Sequence, residues 1–253
     1  VQSKIGFFAQ LSTETMKILL IGLGKMGKVI EKTALARGHE IAYRIDADGV
    51  RELKKIKVAN VDVAIEFTEP TSAFDNISWC IDHGVPVVSG TTGWLDKYAE
   101  ICTKCEAKKG AFFYASNYSI GVNLFMHVNA LVAELMNKYP SYDVEMQEIH
   151  HTEKKDKPSG TAITLANSLL EKIDSKTAWV NSEKCKPNEV SIISFRQDAV
   201  PGTHIVHYRS NDDSIELKHI AHSRNGFALG AVTAAEFIAG KTGVFGMKDL
   251  LGF

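Results

Sequence analysis

The 253-residue chain has only four cysteines, Cys80, Cys102, Cys105 and Cys185, too few and too scattered for a disulfide framework. Cys102 and Cys105 form a C-x-x-C. It lies in "LDKYAEICTKCEAKKG", a helical pattern with no second Cys or His pair to complete a metal or redox site, so two ordinary helix cysteines are expected. Strong charge is also missing. A formal net charge of −1 leaves no global field for nucleic acid or an anionic membrane, and any anionic ligand must be held by local positive groups. No run reaches the roughly 18 apolar residues of a membrane span. The first fifteen residues, "VQSKIGFFAQLSTET", lack a continuous apolar core and a small-residue cleavage site, and a start at Met16 looks natural. The expectation is a cytoplasmic protein with an N-terminal extension over 1–15. What remains, 45% hydrophobic and 23% charged residues, is ordinary globular composition in a chain long enough to bury a core.

Periodicity divides the chain in two. Lys17 to Ile21 is a short apolar run suited to a buried parallel strand, Gly22 to Gly27 a turn, and helical spacing runs from Lys28 to a cap at Gly38. "EIAYRID" follows as a second strand, completing a βαβ unit. "VDVAIEFT", "VPVVSGTT" and "AFFYASN" read as three more buried strands, with helices near 72–83 and 94–109 between them. This alternation predicts a doubly wound α/β sheet with its ligands at the carboxyl ends of the strands. Past residue 117 the pattern changes. A helix over about 122–138, the alternating strand "SYDVEMQEIHH", the helix "TAITLANSLLEKI" and three β-type runs predict an α+β domain with an open mixed or antiparallel sheet. The tail from Phe227 reads as helical and small-residue-rich, suited to packing back on the first domain. The expected boundaries are 16–117 with 223–253 for one domain and 118–222 for the other.

"GLGKMG", Gly22–Gly27, is a G-x-G-x-x-G, weak alone but here set between a strand and a helix, with Asp46 closing the next strand. Gly22 permits the tight turn, Gly24 lets backbone approach a pyrophosphate, and Gly27 lets helix and strand pack closely. The helix start offers free N–H groups and partial positive charge to phosphates, and Asp46 can accept from an adenosine ribose. An acid at that position suits NAD(H), while Lys25 and Arg44 offer partners to a 2′-phosphate, so NADP(H) stays open. "FTEP" (with Phe67 and Thr68), "GTTG" (Gly90, Thr91, Thr92) and "ASNY" (Ala115, Ser116, Asn117, Tyr118) fall at the other strand ends, where a flat nicotinamide can lie against small residues.

"EIHHTEKKDKPSGTA", Glu148–Ala162, crowds two histidines, three lysines and three acids before a Pro-Ser-Gly-Thr turn. Pro158 cannot donate, Ser159 or Thr161 can cap, and Gly160 lets an anion reach the helix N–H groups. Lys154 adds positive charge and delivers a proton if its pKa is lowered. A solvated loop would not need that helix start. A metal would want converging rings, whereas His150 and His151 point oppositely if the strand runs through both. The third reading is a positive pocket for an acidic substrate with a proton donor, the partner that hydride addition to a double bond requires.

Taken in order, "GLGKMG", "FTEP", "SGTTG", "ASNYSIGVN" and above all the H-H-x-x-K-x-D-x-P-S-G-T signature at His150–Thr161 strongly resemble the dihydrodipicolinate reductases, from Met16 to the end of the chain. The resemblance implies a Rossmann N-terminal domain, an α/β C-terminal domain that builds the substrate pocket and forms a homotetramer, and NADH or NADPH reducing a cyclic dicarboxylate of the lysine and diaminopimelate pathway. It implies His150 as proton donor or acceptor with Lys154 as catalytic partner. His151, Gly160 and Thr161 would bind the substrate carboxylates. Gly22, Gly24, Lys25, Met26, Gly27, Asp46, Phe67, Thr68, Gly90–Thr92 and Ala115–Tyr118 would line the cofactor, with no metal. The chain departs from the pattern at Lys157, where a small residue is common, and at Ala47, often basic in members that use NADPH well. Arg224 is a further candidate carboxylate ligand. Two other functions compete: a sugar or amino-acid dehydrogenase, which would place its catalytic lysine or histidine differently, and a dinucleotide sensor, which would give the His–Lys stretch no chemical task.

Overall fold

The computed structural model describes residues 14–46 and 52–253. Ala47 and most of the 1–15 extension lie outside them. The chain divides into two compact units, one containing the described residues up to Ile120 with Arg224–Phe253, the other Gly121–Ser223.

The first unit is built on a six-stranded, wholly parallel sheet in the order β11-β5-β4-β3-β1-β2. Its strands are β1 (Lys17–Ile21), β2 (Glu40–Ile45), β3 (Val63–Glu66), β4 (Val87–Ser89), β5 (Ala111–Tyr114) and β11 (Gly243–Phe245). Side chains alternate across a strand, so β1 serves two cores. Ile18 and Leu20 join α1 (Lys25–Ala36) and α6 (Asn225–Ile238) on one face. Leu19 and Ile21 join α2 (Pro70–Asp82) and α3 (Tyr98–Ala107) on the other. All four are fully buried, each contributing about 1.5–3 kcal/mol in hydrophobic transfer. That two-sided burial is why the strands read as continuous apolar runs rather than alternating ones. Arg37 and His39 both donate to the buried carboxylate of Glu236, at 2.6–2.9 Å, tying the end of α1 to α6.

Local structure departs from the periodicity at three places. Helix α1 begins at Lys25 rather than Lys28, with Gly24 at its N-cap, so Lys25, Met26 and Gly27 belong to the first helical turn. It closes as expected at Gly38, whose φ of +87° suits glycine, with the amides of Gly38 and His39 returning to Leu35 and Ala34. The helix near 94–109 is split, because a 3-10 turn at Leu95–Lys97 precedes α3. Cys102 and Cys105 lie on α3, and burial pushes both thiols up, Cys105 to about 11. The tail is not wholly helical: Gly240 and Gly243 at positive φ end the helical run, and β11 adds a strand beside β5 before α7 (Met247–Leu251).

In the second unit, α4 (Ile120–Met136) and α5 (Gly160–Lys172) cover one face of a five-stranded mixed sheet ordered β10-β9-β6-β8-β7. Its strands are β6 (Asp143–His150), β7 (Ala178–Val180), β8 (Glu189–Arg196), β9 (Gly202–Arg209) and β10 (Ser214–Ala221). β6 is central, parallel to β8 and antiparallel to β9. β7 is only three residues long and has no legible alternation.

Candidate active site

The first cluster lies at the carboxyl ends of β1, β3, β4 and β5. Strand order reverses at β1, which has β2 on one side and β3 on the other, the topological switch point where open parallel sheets take ligands. Gly22 has φ +99°, and a Cβ there would stand 2.0 Å from the Phe67 carbonyl oxygen. At Gly27 a Cβ would come within 1.9 Å of the Gly22 oxygen. These two glycines are therefore required by packing. Gly24 is different: nothing lies within 4 Å of a Cβ built there, and no side chain caps the helix it starts. An open approach to uncapped helix N–H groups fits a dinucleotide pyrophosphate. Lys25 and Asp46 are exposed beside it and Met26 is half-buried, while Arg44 pairs with Glu31 at 2.7 Å.

Beneath the neighbouring strand ends sits Glu66, fully buried and absent from the sequence-level candidates. It accepts from Ser89 Oγ at 2.6 Å, Thr91 Oγ1 at 2.8 Å and the Thr68 amide at 3.0 Å, and from the Thr68 hydroxyl. Burial pushes its carboxyl above the usual range and these donors only partly offset that. Glu66 thus fastens the loop of Phe67 and Thr68 to that of Gly90, Thr91 and Thr92. Gly90 is compelled by the Phe67 ring, 2.2 Å from a built Cβ. Tyr118, buried, donates to the Ser89 carbonyl at 2.6 Å, bringing the Ala115–Tyr118 segment to the same strand ends. Ser116 and Thr92 are exposed there, with Asn117 half-buried.

The second cluster follows from alternation in three adjacent strands. On β6, Val144 and Met146 face the core, and Glu148 and His150 continue their row. On β8 the row Val190, Ile192 runs on to Ser194 and Arg196. On β9, antiparallel, Tyr208 and Val206 lead to His204 and then Gly202. The register aligns Glu148 with His204 and His150 with Arg196. Each apolar row thus turns polar at the same end of the sheet. Gly202 leaves room for the His150 ring, since a Cβ there would lie 3.1 Å from Nε2.

Glu148 is the hub. It accepts the Ser159 amide at 3.1 Å, stands 3.4 Å from His150 Nδ1, and has the Arg196 guanidinium at 3.4 Å. Burial alone would push Glu148 up; the neighbouring His150, Ser159 and Ser194 win and hold it far below the usual carboxylate range. His204 packs edge-on against His150, ring centroids 5.2 Å apart, and burial, then the nearby His150, lowers it to about 4. Arg196 also donates to the carbonyls of Lys154 (3.1 Å) and Asp156, pinning the loop between β6 and α5. In that loop Lys154 Nζ is held by Asp156 at 2.8 Å, and this pairing lowers the Asp156 carboxyl.

Ser159, not Thr161, caps α5, accepting the Ala162 amide at 3.2 Å. Gly160 at the helix start is exposed and Thr161 half-buried, while Lys155 and Lys157 are exposed. β6 ends at His150, so His151 leaves the sheet half-exposed. The rings of the pair do not share a role: His150 meets His204 and Glu148. Those three residues place ligand atoms within 4.8 Å of one another. A cation there would face the Arg196 guanidinium and compete with the Ser159 amide for Glu148, which disfavours metal. Arg224 is exposed at the N-cap of α6. Glu148, Arg196, His204 and Gly202 were missed in the sequence. Their only signal is the shared apolar-to-polar switch, which needs the strand register to become visible.

The family model "Dihydrodipicolinate reductase, N-terminus" matches residues 16–118, and its C-terminal counterpart matches 121–251. A 4-hydroxy-tetrahydrodipicolinate reductase of Christiangramia forsetii is 47% identical over 93% of this chain and 98% of its own length. One from Thermosipho africanus is 35% identical over the same shares. A solved structure of a dipicolinate-bound dihydrodipicolinate reductase from Paenisporosarcina sp. TG-14 aligns with a TM-score of 0.74 at 22% identity, covering 93% of this chain and 99% of that one. Among the described residues no helix is long and apolar enough to cross a membrane. With both family halves matched in order, a Rossmann-type sheet and close relatives along nearly the whole length, the chain belongs to the dihydrodipicolinate reductase family of nicotinamide-dependent oxidoreductases.

Proposed function

We propose that this protein reduces 4-hydroxy-tetrahydrodipicolinate to tetrahydrodipicolinate in diaminopimelate and lysine biosynthesis. The net change replaces C–OH by C–H, so a hydride and a proton enter and water leaves. The bound nicotinamide supplies the hydride. The observation that carries the reading is the loop His150–Ser159: two histidines and a lysine lead directly into the Ser159-capped start of a thirteen-residue helix, where Gly160 is exposed. That arrangement sets proton donors beside a carboxylate site.

His150 and Lys154 handle the proton. Lys154 is the cation on the exposed side, held by Asp156 until an anionic substrate offers a better partner. His151, Gly160 and Thr161 grip carboxylates with a side chain, backbone N–H groups and a hydroxyl. In the first unit Gly22–Gly27 takes the pyrophosphate, Asp46 the ribose, and Phe67, Thr68, Gly90–Thr92 and Ala115–Tyr118 the nicotinamide half. NADH is the better donor, because Asp46 repels a 2′-phosphate and Arg44 is committed to Glu31, leaving Lys25 as its partner. A homotetramer is supported by the stripe Leu124, Val128, Leu131 and Leu135 on α4, each 44–56% exposed, and by Ile215 and Ile220 on the edge strand β10.

The test is reduction of freshly generated substrate with NADH and NADPH, by the natural protein and Lys154→Ala. Loss of about 10²–10⁴-fold in kcat is expected for removing a proton donor. Cofactor affinity should stay within about 2-fold, since Lys154 belongs to the second unit. Unaltered turnover would remove the role, and failure of pyridine-2,6-dicarboxylate to compete with substrate would remove the pocket.

A further inference from the structure

We infer that Glu148 is a positioning residue for His150: it holds the ring by Nδ1 so that Nε2 is the nitrogen that gives the proton. The inference rests on the reductase reading above and extends it to the atom. Glu148 is fully buried and its oxygens are aimed by the Ser159 amide and the Arg196 guanidinium, so its own orientation is over-determined. Its Oε2 lies 3.4 Å from His150 Nδ1, which is sealed from solvent and has no hydrogen-bond partner within the formed network. The carboxylate is the acceptor that this buried nitrogen requires, reached by a small shift of the ring.

The surroundings leave Nδ1 no better partner. From β9, His204 packs edge-on to His150 and is kept neutral by burial, its Nε2 turned to Ser159 Oγ at 3.3 Å. From β8, Arg196 offers only donors, and from the loop Lys154 is paired with Asp156. The carboxylate facing Nδ1 is an acceptor for the N–H that the imidazolium carries there. Loss of water from the hydroxylated ring leaves a conjugated carbon–carbon double bond. Hydride adds to one of its carbons, and the electron pair passes to the other. When the imidazolium gives its Nε2 proton to that carbon, the neutral ring keeps its remaining proton on Nδ1, facing Glu148. Charge and proton balance without any other group.

Glu148 also joins the two halves of the loop, since one carboxylate meets His150 and the amide that opens α5. Its amide analogue keeps an oxygen for Ser159, so Glu148→Gln separates charge from shape.

The experiment is imidazole 15N NMR of the full-length protein at about pH 9, where an ordinary imidazole is neutral. His150 is assigned by difference against His150→Gln. The natural protein should show a proton on Nδ1 and a bare Nε2. Glu148→Gln should lose that preference and fall about 100-fold in kcat, with substrate KM within about 2-fold. A proton on Nε2 in the natural protein overturns the inference whether or not any variant folds. So does a variant with unchanged tautomer, or one whose kcat and KM worsen together as a loosened fold would cause. Absence of any reduction by the natural protein would instead overturn the reductase reading and leave the tautomer measurement standing.

Discussion

Acid should destabilise the second unit through His204 before it touches the carboxylates. His204 is 5% exposed, and its folded pKa falls from 6.5 to about 4, chiefly by burial and then by the nearby His150. The unfolded chain therefore binds one more proton than the folded one between those limits. Stability from this residue is complete above about pH 6.5 and is lost as pH falls towards 4, at about 1.4 kcal/mol per pH unit. Over the whole interval that comes to about 3 kcal/mol, a substantial part of a typical domain's stability. His219, paired with His204 across β9 and β10, is lowered too, by burial first, and adds in the same direction. Glu148 works lower down, because a depressed carboxylate loses its contribution only as pH drops below 4.5. The assay is amide hydrogen exchange of β9 between pH 7 and pH 4.5, corrected for intrinsic rates, on the natural protein and on His204→Gln. The natural protein should lose roughly 2–3 kcal/mol of opening free energy and the variant about 1.4 kcal/mol less per pH unit. Equal slopes would refute the reasoning, since His204 would then be protonated in the folded state as readily as out of it.

Two further outcomes follow from packing. Gly22→Ala forces a positive-φ alanine against the Phe67 carbonyl and should cost several kcal/mol, seen as a large fall in Tm, whereas Gly24→Ala meets open space. The second should leave Tm within a few degrees while weakening cofactor binding about 10-fold or more by fluorescence titration, and matching Tm losses would be inconsistent with the different environments. Leu131→Glu on the exposed stripe of α4 should shift the mass in light scattering to smaller species with the monomer fold retained by circular dichroism, and an unmoved mass would leave the stripe unexplained.

The strand, glycine turn and helix of the first unit were legible in the sequence because their signals are local. A buried strand, a glycine turn and a helix succeed one another within twenty residues, and Gly22 and Gly27 admit no other residue for reasons set by neighbours in the same unit. The His150–Thr161 stretch was legible too, because proton donors and a helix start are adjacent in the chain. Helix onset at Lys25, strand β11 and the split before α3 were not, since capping and edge pairing depend on contacts that periodicity does not carry. The same limit hid the residues that set the histidine. Glu148 looked like one acid among three in a charged stretch, and Arg196 and His204 lie 46 and 54 positions beyond His150. By itself the sequence determined the two-unit α/β character, the glycine turn between β1 and α1 and the chemical types in the loop. Only the tertiary structure decided which of those charges are buried and what they face, because three strands had to pair in one register before Glu148, His150, His204 and Arg196 shared an end of the sheet.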